Sequence, residues 1–338
     1  QKFIENCLAK GEPEKVIQEI WKQTESFAGY AFAKGHSASY AVESYQSLFL
    51  KTYYPLEYMV AVINNGGGFY RVETYIHEAR LSGATVHGPC INKSDCQTTI
   101  YGKAIYLGFQ HLAGLETRTV KQVIEERKKG FYRSLNDFLE RINISIEQLD
   151  IMIRIGAFRF TEIDKRTLLW QAHFKLSKQS RKLMQQKLFY EKTRNFQLPE
   201  FNVTILENAF DEIELLGFPL CSPFLLLKKS GYTNCLASHF KDFVNKTVTL
   251  IGYLVTIKST VTHKGNAMYF GTFLDREGQW IDTVHFPPIA KKFPFRGRGI
   301  YELTGKVTSE FDFLSLEIQS MKKCDYIQDP RFVENVVN

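Results

Sequence analysis

The period of apolar and polar positions changes along this chain. Up to about residue 82 it is helical. The stretch "PEKVIQEIWKQTESF" sets Val16, Ile20 and Phe27 on one side, with Pro13 at the first turn. "SASYAVESYQSLFLKTYY" carries Tyr40, Ser44, Ser47 and Leu48 near helical spacing and stops before Pro55. "PLEYMVAVINN" predicts a further short helix, closed by "NNGGG". "YRVETYIHEARLSG" then places Val72, Tyr75, Ile76 and Ala79 on one face, with Gly83 as the C-terminal cap.

Residues 84–110 lose that period. "GATVHGPCINKSD" and "QTTIYGKAIYLGF" are rich in Gly, Thr and Ile and predict short strands and turns. Helix returns over residues 112–175 in two units of similar plan. "LAGLETRTVKQVIEERKKG" turns at Gly114, and "IEQLDIMIRIGAFRFTEIDKRTLLWQAHF" turns at Gly156; each turn precedes a basic helix. Residues 176–203 scatter Lys, Gln and Arg around isolated apolar positions, as in a linker or a loosely docked helix. "ILENAFDEIELLGF" is amphipathic and should end at Gly217. From about residue 245 the period becomes two. "KTVTLIGYLVTIKS", "NAMYFGTFLD", "GQWIDTVHF", "GIYELTGKV" and "DFLSLEIQSM" are five strand-like runs between Gly-rich and charged turns, which fits a small OB-type barrel. The fold class expected is therefore α+β and multidomain.

Composition narrows the classes. At 338 residues and 44% apolar content, the chain can build two or three cores. No run of ~18 apolar residues offers a membrane span, so no membrane partner is expected. The first residues lack signal-peptide regions and do not begin with Met, so the chain is expected to start inside a longer protein or to have been trimmed. Six scattered cysteines without a CxxC pair fit a reducing cytoplasm. His77, His87, Cys90 and Cys96 match no common zinc spacing, so no metal is expected there. The net charge of +7 is concentrated in "ERKKG", "DKR", "KQSRK", "LKKS" and "KKFPFRGR", which suggests an anionic partner.

One stretch has an unusual density of donors. "GYAFAKGHSASYA" packs Lys34, His36, Ser37 and Tyr40 between apolar residues. With its continuation through "PLEYMVAVI", it resembles a signature of the C-terminal half of the bacterial DNA polymerase III alpha subunits, the C-family DNA polymerases. "LSGATVHGPCINKS", "YLGFQHLAGLE", "MIRIGAF", "IELLGFPLCSP" and "VTHKGNAMYFGTFLDREG" continue the resemblance in the family's order over nearly the whole chain. Ala33 and Gly35 stand where the family usually has Asn and Ser. "NNGGGFYRVETYIHEA" looks more like the error-prone branch of the family than the main replicase branch.

The resemblance implies four regions: the end of the fingers at 1–110, a tandem helix-hairpin-helix and clamp-binding region at 111–203, a helical connector at 204–244 and an OB domain at 245–338. It implies DNA-directed DNA polymerase activity in the parent protein, with Mg held by a palm that these residues do not include. The chain alone is then expected to be inactive, with no catalytic residue, cofactor or metal of its own. Lys34, His36, Ser37 and Tyr40 would face the triphosphate of an incoming deoxynucleotide, for which a helix N-terminus, a cation and hydroxyls are suited.

A glycine turn followed by a helix N-terminus binds one DNA phosphate. In the first unit this selects Gly114, Leu115, Arg118 and Lys121, although Glu116 stands where the family has a second Gly. In the second it selects Gly156, Arg159, Lys165 and Arg166. On the barrel, Tyr253, Lys258, His263, Lys264 and Tyr269, with Phe270, are candidates for stacking and phosphate contact with single strands. "QQKLF" offers Gln185, Leu188 and Phe189 in a pattern that looks like the family's sliding-clamp motif. The partners implied are duplex and single-stranded DNA, the deoxynucleotide, the clamp and other replisome subunits. The alternatives are an error-prone polymerase of the same family, a non-enzymatic DNA-binding protein with the same domains, and a scaffold that mainly binds proteins.

Overall fold

The computed structural model describes residues 2–28, 34–182, 204–228, 235–310 and 313–332. It divides into two compact units, residues 1–58 and 59–338. The first contains α1 (Lys2–Ala9), α2 (Glu14–Ala28) and α3 (Lys34–Tyr53), and α4 (Pro55–Asn64) spans the division. Phe3 stacks on Trp21 at 5.8 Å, and Ile17 is buried. The face of α2 that packs is thus the Ile17–Trp21 face, since contact with α1 is made there. Val16 and Ile20, expected on the packed side, are exposed.

The second unit begins with α5 (Val72–Leu81). Its face is the one expected: Ile76 and Ala79 are buried, and Val72 and Tyr75 pack around Ile63, Leu107 and Phe218. Gly83, at φ +92, ends the helix in a conformation that favours glycine. A small sheet follows, of β1 (Thr85–His87), β2 (Thr99–Tyr101) and β3 (Ala104–Tyr106) in the order β1-β3-β2.

Next come α6 (Thr117–Arg127), α7 (Leu135–Arg141), α8 (Ile146–Arg154), α9 (Lys165–Lys182) and α10 (Ile205–Leu216). Ser134, Ser145 and Thr204 cap α7, α8 and α10 by accepting the backbone N–H three residues on. These helices bury Val123, Phe138, Leu149, Met152, Phe158 and Leu168 in one core with Ile91 and Phe109. The boundary expected at 110–111 falls between Phe109 and Leu112, two members of that core.

The last part is a closed barrel in the order β4-β5-β6-β8-β7. Its strands are β4 (Thr247–Val261), β5 (Ala267–Leu274), β6 (Trp280–His285), β7 (Ile300–Glu310) and β8 (Phe313–Lys323), with α11 (Pro287–Lys292) between β6 and β7. All five expected strands form, and the order is that of an OB barrel. Leu250, Leu254, Phe273, Ile281, Leu303 and Leu316 fill it. Gly305 sits at a register shift between β7 and β8, where a Cβ would lie 2.4 Å from the Glu317 carbonyl oxygen; only glycine lets the strands cross so closely. No helix among the described residues is long and apolar enough to cross a membrane.

Candidate nucleic-acid interface

The two hairpins differ in how their charges are spent. Gly114 turns at φ +77 ahead of α6. The Gln148 side chain, from α8, spans this turn: it donates to the Gly114 carbonyl at 2.8 Å and accepts the Glu116 N–H at 2.7 Å. That buried amide fixes the loop but occupies one of its backbone donors. Leu115 packs partly against the helical core, so its side chain is structural and only its backbone is open to a ligand. Arg118 and Lys121 lie exposed on the first turns of α6, and neither forms an ion pair among the described residues. Glu116 is exposed beside them.

The second hairpin departs from expectation. Gly156 turns at φ +76, but the cations near it are taken by the protein itself. Arg159 donates to the carbonyls of Gly88 at 2.8 Å and Ile155 at 3.3 Å; burial lowers its pKa, which marks a structural guanidinium. Lys165 pairs with Asp211 and Arg166 with Glu207. Arg154 reaches Asp211 at 2.7 Å, and Arg331 reaches the same carboxylate at 2.6 Å. Burial alone would raise Asp211, but hydrogen bonds from Lys165 and Arg154 outweigh it and hold its carboxyl below the usual range. Lys165 and Arg166 are therefore paired with acids of α10, more than forty residues away in sequence.

On the barrel, α5 covers part of the outer surface. The Tyr253 hydroxyl donates to Glu73 at 3.2 Å, and Arg298 donates to both Glu73 and that hydroxyl. His77 Nε2 donates to the Gly278 carbonyl at 2.8 Å, and Trp280 Nε1 donates to Glu78 at 3.2 Å. Tyr253 is thereby a docking residue, and burial pushes its phenol up. Tyr269 turns inward, 6.0 Å from Phe295. Both rings are partly engaged by the protein. Phe270, in contrast, is 41% exposed. It lies in one cross-strand row with Lys258 and Val284. His263 and Lys264 are exposed in the β4–β5 turn.

In the first unit, His36, Ser37 and Tyr40 are exposed along one side of the first turns of α3, where Lys34 is the opening residue. Gln185, Leu188 and Phe189 lie outside the described residues. Among the described residues, no group of three or more His, Cys, Asp and Glu side chains comes together as a metal site.

Sequence reasoning missed the α10 carboxylates and the α5 docking of the barrel. It also missed an exposed aromatic pair, Tyr101 and Phe131, around Lys93. In the polar turn "KKGFYRS", Phe131 serves no helical or strand period, which is a local signal of that pair.

Residues 83–168 match a family described as the helix-hairpin-helix motif. The chain is 30% identical over 300 residues to the DNA polymerase III subunit alpha of Aquifex aeolicus, covering 85% of this chain and 25% of that protein. It is 26% identical over 358 residues to the corresponding subunit of Borreliella burgdorferi, covering 97% of this chain and 30% of that protein. An error-prone DNA polymerase of Mycobacterium bovis is 30% identical over 166 residues, covering 48% of this chain and 15% of that one. The match thus spans 25% to 30% of the length of these two alpha subunits.

Proposed function

The chain is related over most of its length to the C-terminal region of bacterial DNA polymerase III alpha subunits, and from this we infer that it is the DNA-holding part of a C-family DNA polymerase. The observation that carries the reading is the first hairpin. A matched helix-hairpin-helix presents Arg118 and Lys121, unpaired among the described residues, just beyond the Gly114 turn. A duplex phosphate at the N-terminus of α6 would meet backbone N–H groups, the positive end of the helix and both cations. The Lys258–Phe270 row and the His263–Lys264 turn would hold a single strand, cations on phosphate and the ring under a base.

The finer roles follow from the same family reading. Lys34, His36, Ser37 and Tyr40 would meet the deoxynucleotide triphosphate. Gln185, Leu188 and Phe189 would engage the sliding clamp, within a replisome of further subunits. Nucleotidyl transfer itself needs Mg, which would be held by carboxylates of the parent polymerase. This chain contributes binding and orientation. A second role, error-prone rather than main replicative synthesis, is supported by "NNGGGFYRVETYIHEA".

Titrating labelled duplex over a range of salt tests the reading. Arg118→Gln with Lys121→Gln should weaken binding and lower the salt slope by about two phosphate equivalents. An unchanged slope would remove the hairpin from the DNA interface. Replacing Lys165 and Arg166 should leave the slope alone.

A further inference from the structure

The loop from Ile91 to Asp95 is held from both sides. Arg127 donates to the Ile91 carbonyl at 3.0 Å and the Ser94 carbonyl at 2.5 Å, and pairs with Asp95. The Asn92 side chain donates to the Tyr132 carbonyl at 2.8 Å and accepts its N–H at 2.9 Å. Between these ties stands Lys93. Its ammonium lies 5.3 Å from the Tyr101 ring centre and 5.5 Å from that of Phe131. The Tyr101 hydroxyl donates to the Lys93 carbonyl at 3.1 Å, which fixes that ring's direction.

Both rings are exposed, Tyr101 by 51% and Phe131 by 63%. Neither is needed to fill a core. An open groove of about 810 Å³ runs beside Phe131, with Gln97, Thr99 and Gln110 in its walls. The charges of the patch sort themselves. Arg127 is matched by Asp95, and Lys128 by Glu125 at 2.8 Å. Lys93 forms no ion pair among the described residues. One uncompensated cation therefore stands between two open aromatic faces.

We propose that Tyr101, Phe131 and Lys93 form a second single-strand site, in which two unpaired bases stack on the rings and the phosphate between them meets Lys93. The stoichiometry favours this occupant. A dinucleotide step has two π-faces and one negative charge, which is the complement of two rings and one ammonium. The amides of Gln97 and Gln110 can donate to or accept from base edges. The patch lies on β2, the loop before it and the turn after α6. The proposal rests on the DNA-holding function inferred above.

The test uses fluorescence titration with oligothymidylate and with an abasic strand of the same length, on the whole chain. Tyr101→Ala with Phe131→Ala should weaken oligothymidylate binding ~10-fold or more and leave the abasic strand unchanged. Tyr101→Leu with Phe131→Leu, which keeps apolar surface, should behave like the alanine pair. Lys93→Gln should weaken both strands and lower the salt slope by about one. If the alanine pair binds oligothymidylate normally while Lys258→Gln with Phe270→Ala does not, the patch is excluded and the DNA-holding function stands. Recovery by the leucine pair, or an equal loss on both strands, also overturns the site. Failure of the unmodified chain to bind either strand overturns both readings together.

Discussion

The Gln148 side chain joins α8 to the first hairpin through two hydrogen bonds, one of them to the Gly114 carbonyl. Each partner is a backbone group of a turn that must keep its shape to present α6. Gln148→Leu leaves the Glu116 N–H and the Gly114 carbonyl without these partners. A stability loss of about 1–3 kcal/mol is expected by urea denaturation, with weaker duplex binding. Normal stability would show that water replaces the amide.

Asp211 gathers Lys165, Arg154 and Arg331 around one buried carboxylate. Asp211→Asn keeps the shape and removes the charge, so three cations lose their common partner. The loss expected is about 3–5 kcal/mol. Because the folded pKa is held below the ordinary one, this contribution is present above the usual carboxylate range and fades as pH falls through it. A Lys165→Met change should cost less, because the carboxylate keeps two guanidinium partners.

His285 is buried in the barrel beside Phe295, 4.8 Å between ring centres. Its Nε2 hydrogen-bonds Thr283 at 2.9 Å, while Nδ1 has no partner among the described residues. Burial pushes the imidazole down from 6.5 to about 4. The unfolded chain therefore binds a proton that the folded chain refuses. Stability should be full above the unfolded value and fall between about pH 6.5 and 4, by about 3 kcal/mol in all. A His285→Gln protein should lack this part of the slope. A flat wild-type profile across that window would contradict the assignment.

Replacing Lys258 and Phe270 should lower affinity for single strands and spare duplex, since their row is separate from the Gly114 hairpin. Base stacking is worth ~1–3 kcal/mol per base. Tyr269→Leu should have little such effect, because that ring packs against Phe295. Should a folded Tyr269→Leu protein lose as much binding as Phe270→Ala, the exposed row is not the strand's path.

The clamp contact is checked with the whole chain and a sliding clamp from the same organism. Leu188→Ala with Phe189→Ala should lower affinity strongly, as each buried apolar side chain contributes ~1.5–3 kcal/mol. Circular dichroism confirms that the variant is folded. Equal affinities would place the clamp contact elsewhere.

The barrel strands were legible because a period of two survives in short runs, and the apolar face of α5 because Ile76 and Ala79 keep a helical period. The orientation of Lys258 and Phe270 was less so. The register of β4 shifts between Leu254 and Thr256. Before the shift, even-numbered residues such as Leu250 and Leu254 point into the barrel; after it, Lys258 lies opposite Phe270, on the outside. One inserted position reverses the parity of a strand, and nothing in the alternation announces it. The ion pairs of Lys165 and Arg166 were hidden for a different reason. Their partners, Asp211 and Glu207, arrive from a helix beyond the linker, and a local charge count cannot see them.

The docking of α5 on the barrel has a kinetic meaning. His77 against Gly278 and Glu73 against Arg298 tie the barrel to the helical half by contacts in addition to the chain that connects them. The Gly114 hairpin and the Lys258–Phe270 row are then carried at a set separation, like the jaws of a fixed gauge. Under the proposed function, a nucleic acid held on one of these surfaces would meet the other at a fixed offset, so its second contact would form at a raised effective concentration and without a separate search.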